Sequence, residues 1–108
     1  MIPTGTIGDI TWHRIIEAEG PEFEIGFLLP DATPEAIAPY RDWMVPDFLD
    51  PDTDKLIMAT QSYVLKTGHH TVLIDSCVGN DKDRLPLRLW HERRGPFLGD
   101  LAEAGFPV

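Results

Sequence analysis

The chain has 108 residues, with 18 acidic and 9 basic side chains and a net charge of −9 at pH 7. That length fits one ordinary domain, and a 43 % hydrophobic content with three Trp and five Phe excludes a disordered chain. The acidic balance argues against nucleic-acid binding, which needs a basic face, and against docking on anionic membranes.

Ile7 to Glu17 reads as a strand, dense in β-branched residues, with Ile10, Trp12 and Ile16 on one face. Gly20-Pro21 marks a turn, and Phe23, Ile25 and Phe27 alternate with Glu24 and Gly26 as in a second extended segment. A short helix follows, with Thr33 as N-cap and Pro34 at the first helical position; Pro39 stops it or forces a restart. Pro46 and Pro51 keep the next stretch irregular. Its aromatics, Trp43 and Phe48, either cover the edge of the core or wall a pocket.

Residues 56–66 and 71–76 are strands joined by Thr67-Gly68-His69-His70, a hairpin. The unbroken run Val72-Leu73-Ile74 predicts a strand covered on both faces. Residues 77–95 form a charged loop. Pro96 to Ala104 reads as a helix with an apolar stripe of Phe97, Leu98, Leu101 and Ala102, started by Pro96 and capped by Gly105.

The charge is unevenly placed. Residues 1–54 carry 12 acids against Arg14 and Arg41, together with seven of the ten prolines; residues 55–108 carry 6 acids and 7 bases. The expected division is therefore an acidic, Pro-rich segment 1–54 of strands and a lid-like loop, then a more regular unit from 55 to 108. Charges or prolines interrupt every apolar run before it reaches the length of a membrane span. The N-terminus lacks a basic start followed by an apolar core, and the single Cys77 cannot form an internal disulfide. Both point to the cytoplasm.

Asp50-Pro51-Asp52-Thr53-Asp54 has carboxylates at alternate positions, as at the start of a calcium loop. Lys55 stands where such a loop needs glycine and Gln61 where it needs glutamate, so an acidic, solvated turn is the better reading. His91-Glu92-Arg93-Arg94-Gly95 begins like a helical zinc-protease motif and loses its second histidine to Gly95. His69 and His70 are adjacent, and in an extended chain they point to opposite faces, which suits exposed hairpin residues better than a shared metal. His13 has no ligand partner two residues away. Cys77 has no nucleophile signature around it. No catalytic constellation is complete. Asp75 is the most informative residue: a carboxylate ending an apolar strand is either turn-forming, bonded to nearby amides, or placed beside a site where it orients another group.

The ordered set Gln61–Gly68, then Thr71-Val72-Leu73-Ile74-Asp75-Ser76-Cys77-Val78-Gly79, resembles the opening of a metallo-β-lactamase-fold hydrolase. In that family a strand, a Gly turn and a second strand end in a Leu-Ile-Asp-Thr-Gly-like motif; here Ser76 stands for Thr and Cys77 for the first Gly. Asn80–Arg84, Trp90-His91, the Phe97-to-Gly105 helix and Leu29–Glu35 also look like one branch of these hydrolases. The resemblance implies an α/β fold of the α+β type, part of an αββα sandwich comprising the N-terminal strands, the hairpin and the first helix. It implies zinc or another divalent metal in the parent enzyme, and hydrolysis of an ester, lactone or related bond in a small-molecule substrate by a metal-activated water. Asp75 would lie close to the metal without ligating it. The family's His-x-His-x-Asp-His motif is absent from these residues. The expectation is an N-terminal segment that is inactive alone and binds no metal, and that self-associates through exposed strand edges. A non-catalytic interaction or structural module is the alternative.

Overall fold

The computed structural model describes residues 2–108. It is a mixed α+β protein: a four-stranded antiparallel sheet in the order β1-β2-β3-β4, with a few short helices. The strands are β1 (Thr4–Ile7), β2 (Ile10–Glu24), β3 (Lys55–Lys66) and β4 (Thr71–Ile74). The helices are α1 (Ile25–Leu28), α2 (Pro34–Ile37), α3 (Arg41–Met44) and α4 (Phe97–Glu103). Among the described residues, no helix is long and apolar enough to cross a membrane. By its contacts the chain divides into two compact units, one made of the residues up to Ala18 with Thr60–Val108, the other Glu19–Ala59.

In the first unit, the expected strand from Ile7 is in fact two. Ile7 closes β1, Gly8-Asp9 turns the chain, and Ile10 opens β2 opposite it. Gly8 sits at φ +57°, the left-handed conformation that a tight hairpin turn asks of its first residue. Gly5 pairs with Trp12, whose indole lies where a Cβ on Gly5 would be, 2.6 Å from its nearest ring carbon. Trp12 also meets Tyr63 edge-on at 6.0 Å.

The core lies on the other face. Ile15 from β2, Val64 from β3, and Phe97 and Leu101 from α4 are buried together, with Cys77, Ala104 and Phe106 packed against them. The face of β2 that α4 covers is therefore that of His13, Ile15 and Glu17, and the expected face of Ile10, Trp12 and Ile16 is the opposite one. Alternation favours the face of Ile10, Trp12 and Ile16, yet the buried core residue of β2 is Ile15, because α4 packs on the other face. Helix α4 ends as expected at Gly105, φ +98°: the Gly105 amide donates to Ala102 and the Phe106 amide to Leu101, with Leu101 and Phe106 in apolar contact. Its packed residues are Phe97 and Leu101, with Ala104 just past its end; Leu98, at 55 %, and Ala102, both expected in the stripe, are exposed.

The hairpin forms as predicted, with Tyr63, Val64, Leu65 and Lys66 opposite Ile74, Leu73, Val72 and Thr71. The Thr67 hydroxyl accepts from the amides of His69 and His70, which fixes the connection. The expected two-sided cover of β4 is not found. Sheet order leaves it at an edge, and Val72, Leu73 and Ile74 are 42, 44 and 47 % exposed.

In the second unit the turn expected at Gly20-Pro21 does not occur, since β2 runs through it to Glu24. Proline's fixed φ is compatible with an extended chain. The segment expected to be extended through Phe27 is instead one helical turn, α1, which stacks Phe27 on Phe23 at 5.8 Å. Thr33 caps α2 as predicted, its hydroxyl accepting from the Ala36 amide at 3.3 Å. Pro39 restarts the chain as a single turn of 3-10 helix at Ala38–Tyr40 before α3. Leu49 is fully buried and bridges Leu56.

Candidate functional site

The turn that follows β4 holds three residues at positive φ. Asp75 at φ +69°, Cys77 at +61° and Gly79 at +83° all adopt the left-handed region, which is costly for the two side-chain-bearing residues. Three sets of hydrogen bonds hold them there. Asp75 Oδ1 accepts from the Cys77 amide at 2.7 Å, closing the turn on its own side chain. The buried Ser62 hydroxyl reaches from β3 to the carbonyls of Ile74 and Asp75, at 2.9 and 2.6 Å. Glu17, buried on the core face of β2, takes the Val78 amide on Oε2 at 2.9 Å and the Gly79 amide on Oε1 at 3.0 Å.

Glu17 is a charge removed from water, and such a group needs partners. Arg93 supplies one: its Nε lies 3.8 Å from Glu17 Oε1, and its Nη2 donates to the Glu17 carbonyl. The charged loop from 77 to 95 is therefore ordered around a few tethers. Asn80 makes a two-way bridge to Gly95, donating to its carbonyl at 2.9 Å and accepting its amide at 3.0 Å. The Asp81 amide donates to Arg93 and the Glu92 amide to Lys82, a short rung inside the loop. Arg84 donates to the Val78 carbonyl at 2.9 Å and Arg94 to Asp81 at 3.0 Å.

Asp75 is exposed and turn-forming. An ionised carboxylate keeps acceptor sites beyond the one used by Cys77, so it can take a donor arriving from outside. Cys77, half-buried beside it, has its thiol pushed up to about 11 by burial and then by the negative charges of Glu17 and Asp75, with Arg93 opposing. At neutral pH that thiol stays protonated, a poor nucleophile and a poor ligand.

The other sequence-flagged residues do not join this turn. Trp43 and Phe48 meet each other edge-on at 5.8 Å and are 61 and 54 % exposed, and neither is among the residues lining a cleft of the second unit. That cleft, about 490 Å3, lies in the second unit among Ile25, Pro30, Pro34, Ile37, Arg41 and Asp54. Asp50 Oδ2 accepts from the Thr53 amide and hydroxyl at 2.8 and 2.6 Å, and Asp54 pairs with Arg41 at 2.7 Å, so this acidic stretch is a turn occupied with its own contacts. His13 meets Phe106 edge-on at 5.0 Å, His69 and His70 are exposed on the hairpin, and His91 Nδ1 accepts from the Arg84 amide at 3.2 Å.

Glu17, Ser62 and Arg93 are the residues of this region that sequence reading missed. One local signal was present: Glu17 stands two positions after Ile15 on a strand, which places a carboxylate on the core face. Its partners lie 61, 62 and 76 residues away in the chain, beyond any local pattern.

Comparison with family models, with curated proteins and with solved structures yields no match. The class that fold and turn define is thus the coarse one, a mixed α+β protein with an antiparallel sheet and a tethered turn at the end of its edge strand.

Proposed function

We propose that this chain is the N-terminal part of a metal-dependent hydrolase of the metallo-β-lactamase fold, cytoplasmic, acting on an ester, lactone or related bond of a small molecule. The observation that carries the reading is β4. A strand of unbroken apolar residues is what an interior strand of a sandwich needs, yet Val72, Leu73 and Ile74 stand exposed at an edge. A second sheet and further strands would cover it. The tethering of Asp75 supports the same reading, since a carboxylate that orients another group must itself be held.

Among the described residues, no three of His, Cys, Asp and Glu lie together as a metal-holding group. On this reading the ligands belong to a His-x-His-x-Asp-His stretch outside the 108 residues. What the present residues contribute is position: Glu17, Arg93 and Ser62 fix the backbone on which Asp75 sits.

The exposed edge equally suits the second reading, a non-catalytic module that pairs its edge strand with another chain. The two readings separate on the reading frame past Val108. The hydrolase reading expects a His-x-His-x-Asp-His stretch shortly after it. A frame that continues through a whole domain without that stretch overturns the hydrolase reading and leaves the module.

A further inference from the structure

We infer that the 108-residue chain forms a two-fold dimer by antiparallel pairing of β4 with β4 of a second copy, with Leu73 opposite Leu73. This goes beyond the hydrolase reading and does not depend on it. The surface is the open edge of the sheet, and the hairpin gives its hydrogen-bond phase. The Thr67 amide bonds to the His70 carbonyl, so His70, Val72 and Ile74 direct their backbone groups toward β3. Thr71 and Leu73, between them, direct theirs outward, where no strand neighbours β4 among the described residues. An apolar edge with outward N–H and C=O groups is a template for another strand. β4 itself carries no charge and no proline, the features that usually blunt such an edge.

Three observations favour a second copy as the occupant. First, the strand is self-complementary. A two-fold axis perpendicular to the sheet pairs residues of like parity, which leaves two registers centred on β4. With Leu73 opposite Leu73, Val72 meets Ile74 twice on the other face, and every central pair is apolar. The other register, centred on Val72, puts His70 against Ile74 and Thr71 against Leu73. Second, the charges complement. Lys66 pairs with Thr71 at one end of the hairpin, beside His69 and His70, and Asp75 stands at the other end. Antiparallel pairing brings Asp75 of each copy to the Lys66–Thr71 end of the other. Third, the first unit, which bears the edge, carries eight acids and seven bases, whereas the second carries ten acids and two bases. The docking unit is thus nearly neutral in a chain whose overall charge of −9 would otherwise oppose self-association. Leu73 also borders an apolar groove with Leu101, Phe106, Pro107 and Val108, which gives the paired leucines a floor.

The test is sedimentation equilibrium of the 108-residue chain over a wide concentration range, with Leu73→Lys alongside. The side chain is exposed in the single chain, so the variant is expected to fold. The expected result is a reversible monomer–dimer equilibrium whose dissociation constant rises by at least about tenfold in the variant. A second measurement reads the register. In a Cys77→Ser background, Leu73→Cys is expected to oxidise to a disulfide-linked dimer, because a hydrogen-bonded antiparallel pair has Cα atoms about 5.5 Å apart, within disulfide range. Val72→Cys in the same background is expected to stay reduced. A chain monomeric at every concentration, a dimer indifferent to Leu73→Lys, or a link through position 72 in place of 73 overturns the proposal.

Discussion

Glu17→Ala is expected to cost about 3 kcal/mol of stability, measured as the shift in urea midpoint at constant slope. The change removes the acceptor for two amides, Val78 and Gly79, and leaves Arg93 without its carboxylate. Breaking a buried pair from one side costs more than the pair contributes, because the remaining charge and donors stay buried and unmet. A domain of this size has a total stability of roughly 5–15 kcal/mol, so the loss is a large share of it. Glu17→Gln retains an acceptor oxygen for one amide and is expected to lose less. Hydrogen exchange at Val78 and Gly79 should speed up in both variants, more in the alanine. A midpoint unchanged in Glu17→Ala would mean that the turn after β4 does not rest on this carboxylate.

Leu101→Ala is expected to cost about 3 kcal/mol, from lost burial plus the cavity left between α4 and the sheet. Leu101 packs on Ile15, Val64 and Phe97, and its carbonyl receives the Phe106 amide in the helix cap. Leu98→Ala, three residues earlier on the same helix, is the control. Leu98 is mostly exposed, so its truncation should fall within about 0.5 kcal/mol of the parent. Equal effects at the two positions would contradict the face of α4 that packs on the sheet.

What the sequence showed clearly was local. The β3–β4 hairpin follows from Gly68 between two β-branched runs, the α2 cap from Thr33-Pro34, and the end of α4 from Gly105. Each rests on backbone chemistry within a few residues. The β1–β2 turn at Gly8-Asp9 was equally local and was missed because Ile7 and Ile10 both suit one strand. Other features were set at long range. Which face of β2 is buried depends on where α4 lands, and the exposure of β4 depends on there being no strand beyond it among the described residues. Asp75 takes the Cys77 amide on its own side chain, as turn-forming aspartates do. The group that holds the turn, Glu17, comes from a strand some sixty residues earlier and carries no motif.

Metal content tests the central claim most directly. The 108-residue chain, purified and exchanged against trace zinc, should retain no stoichiometric metal. A chain extended downstream through the expected His-x-His-x-Asp-His stretch should retain zinc or another divalent ion and hydrolyse a model ester or lactone. One tightly held zinc on the 108-residue chain, or none on the extended one, would contradict the account.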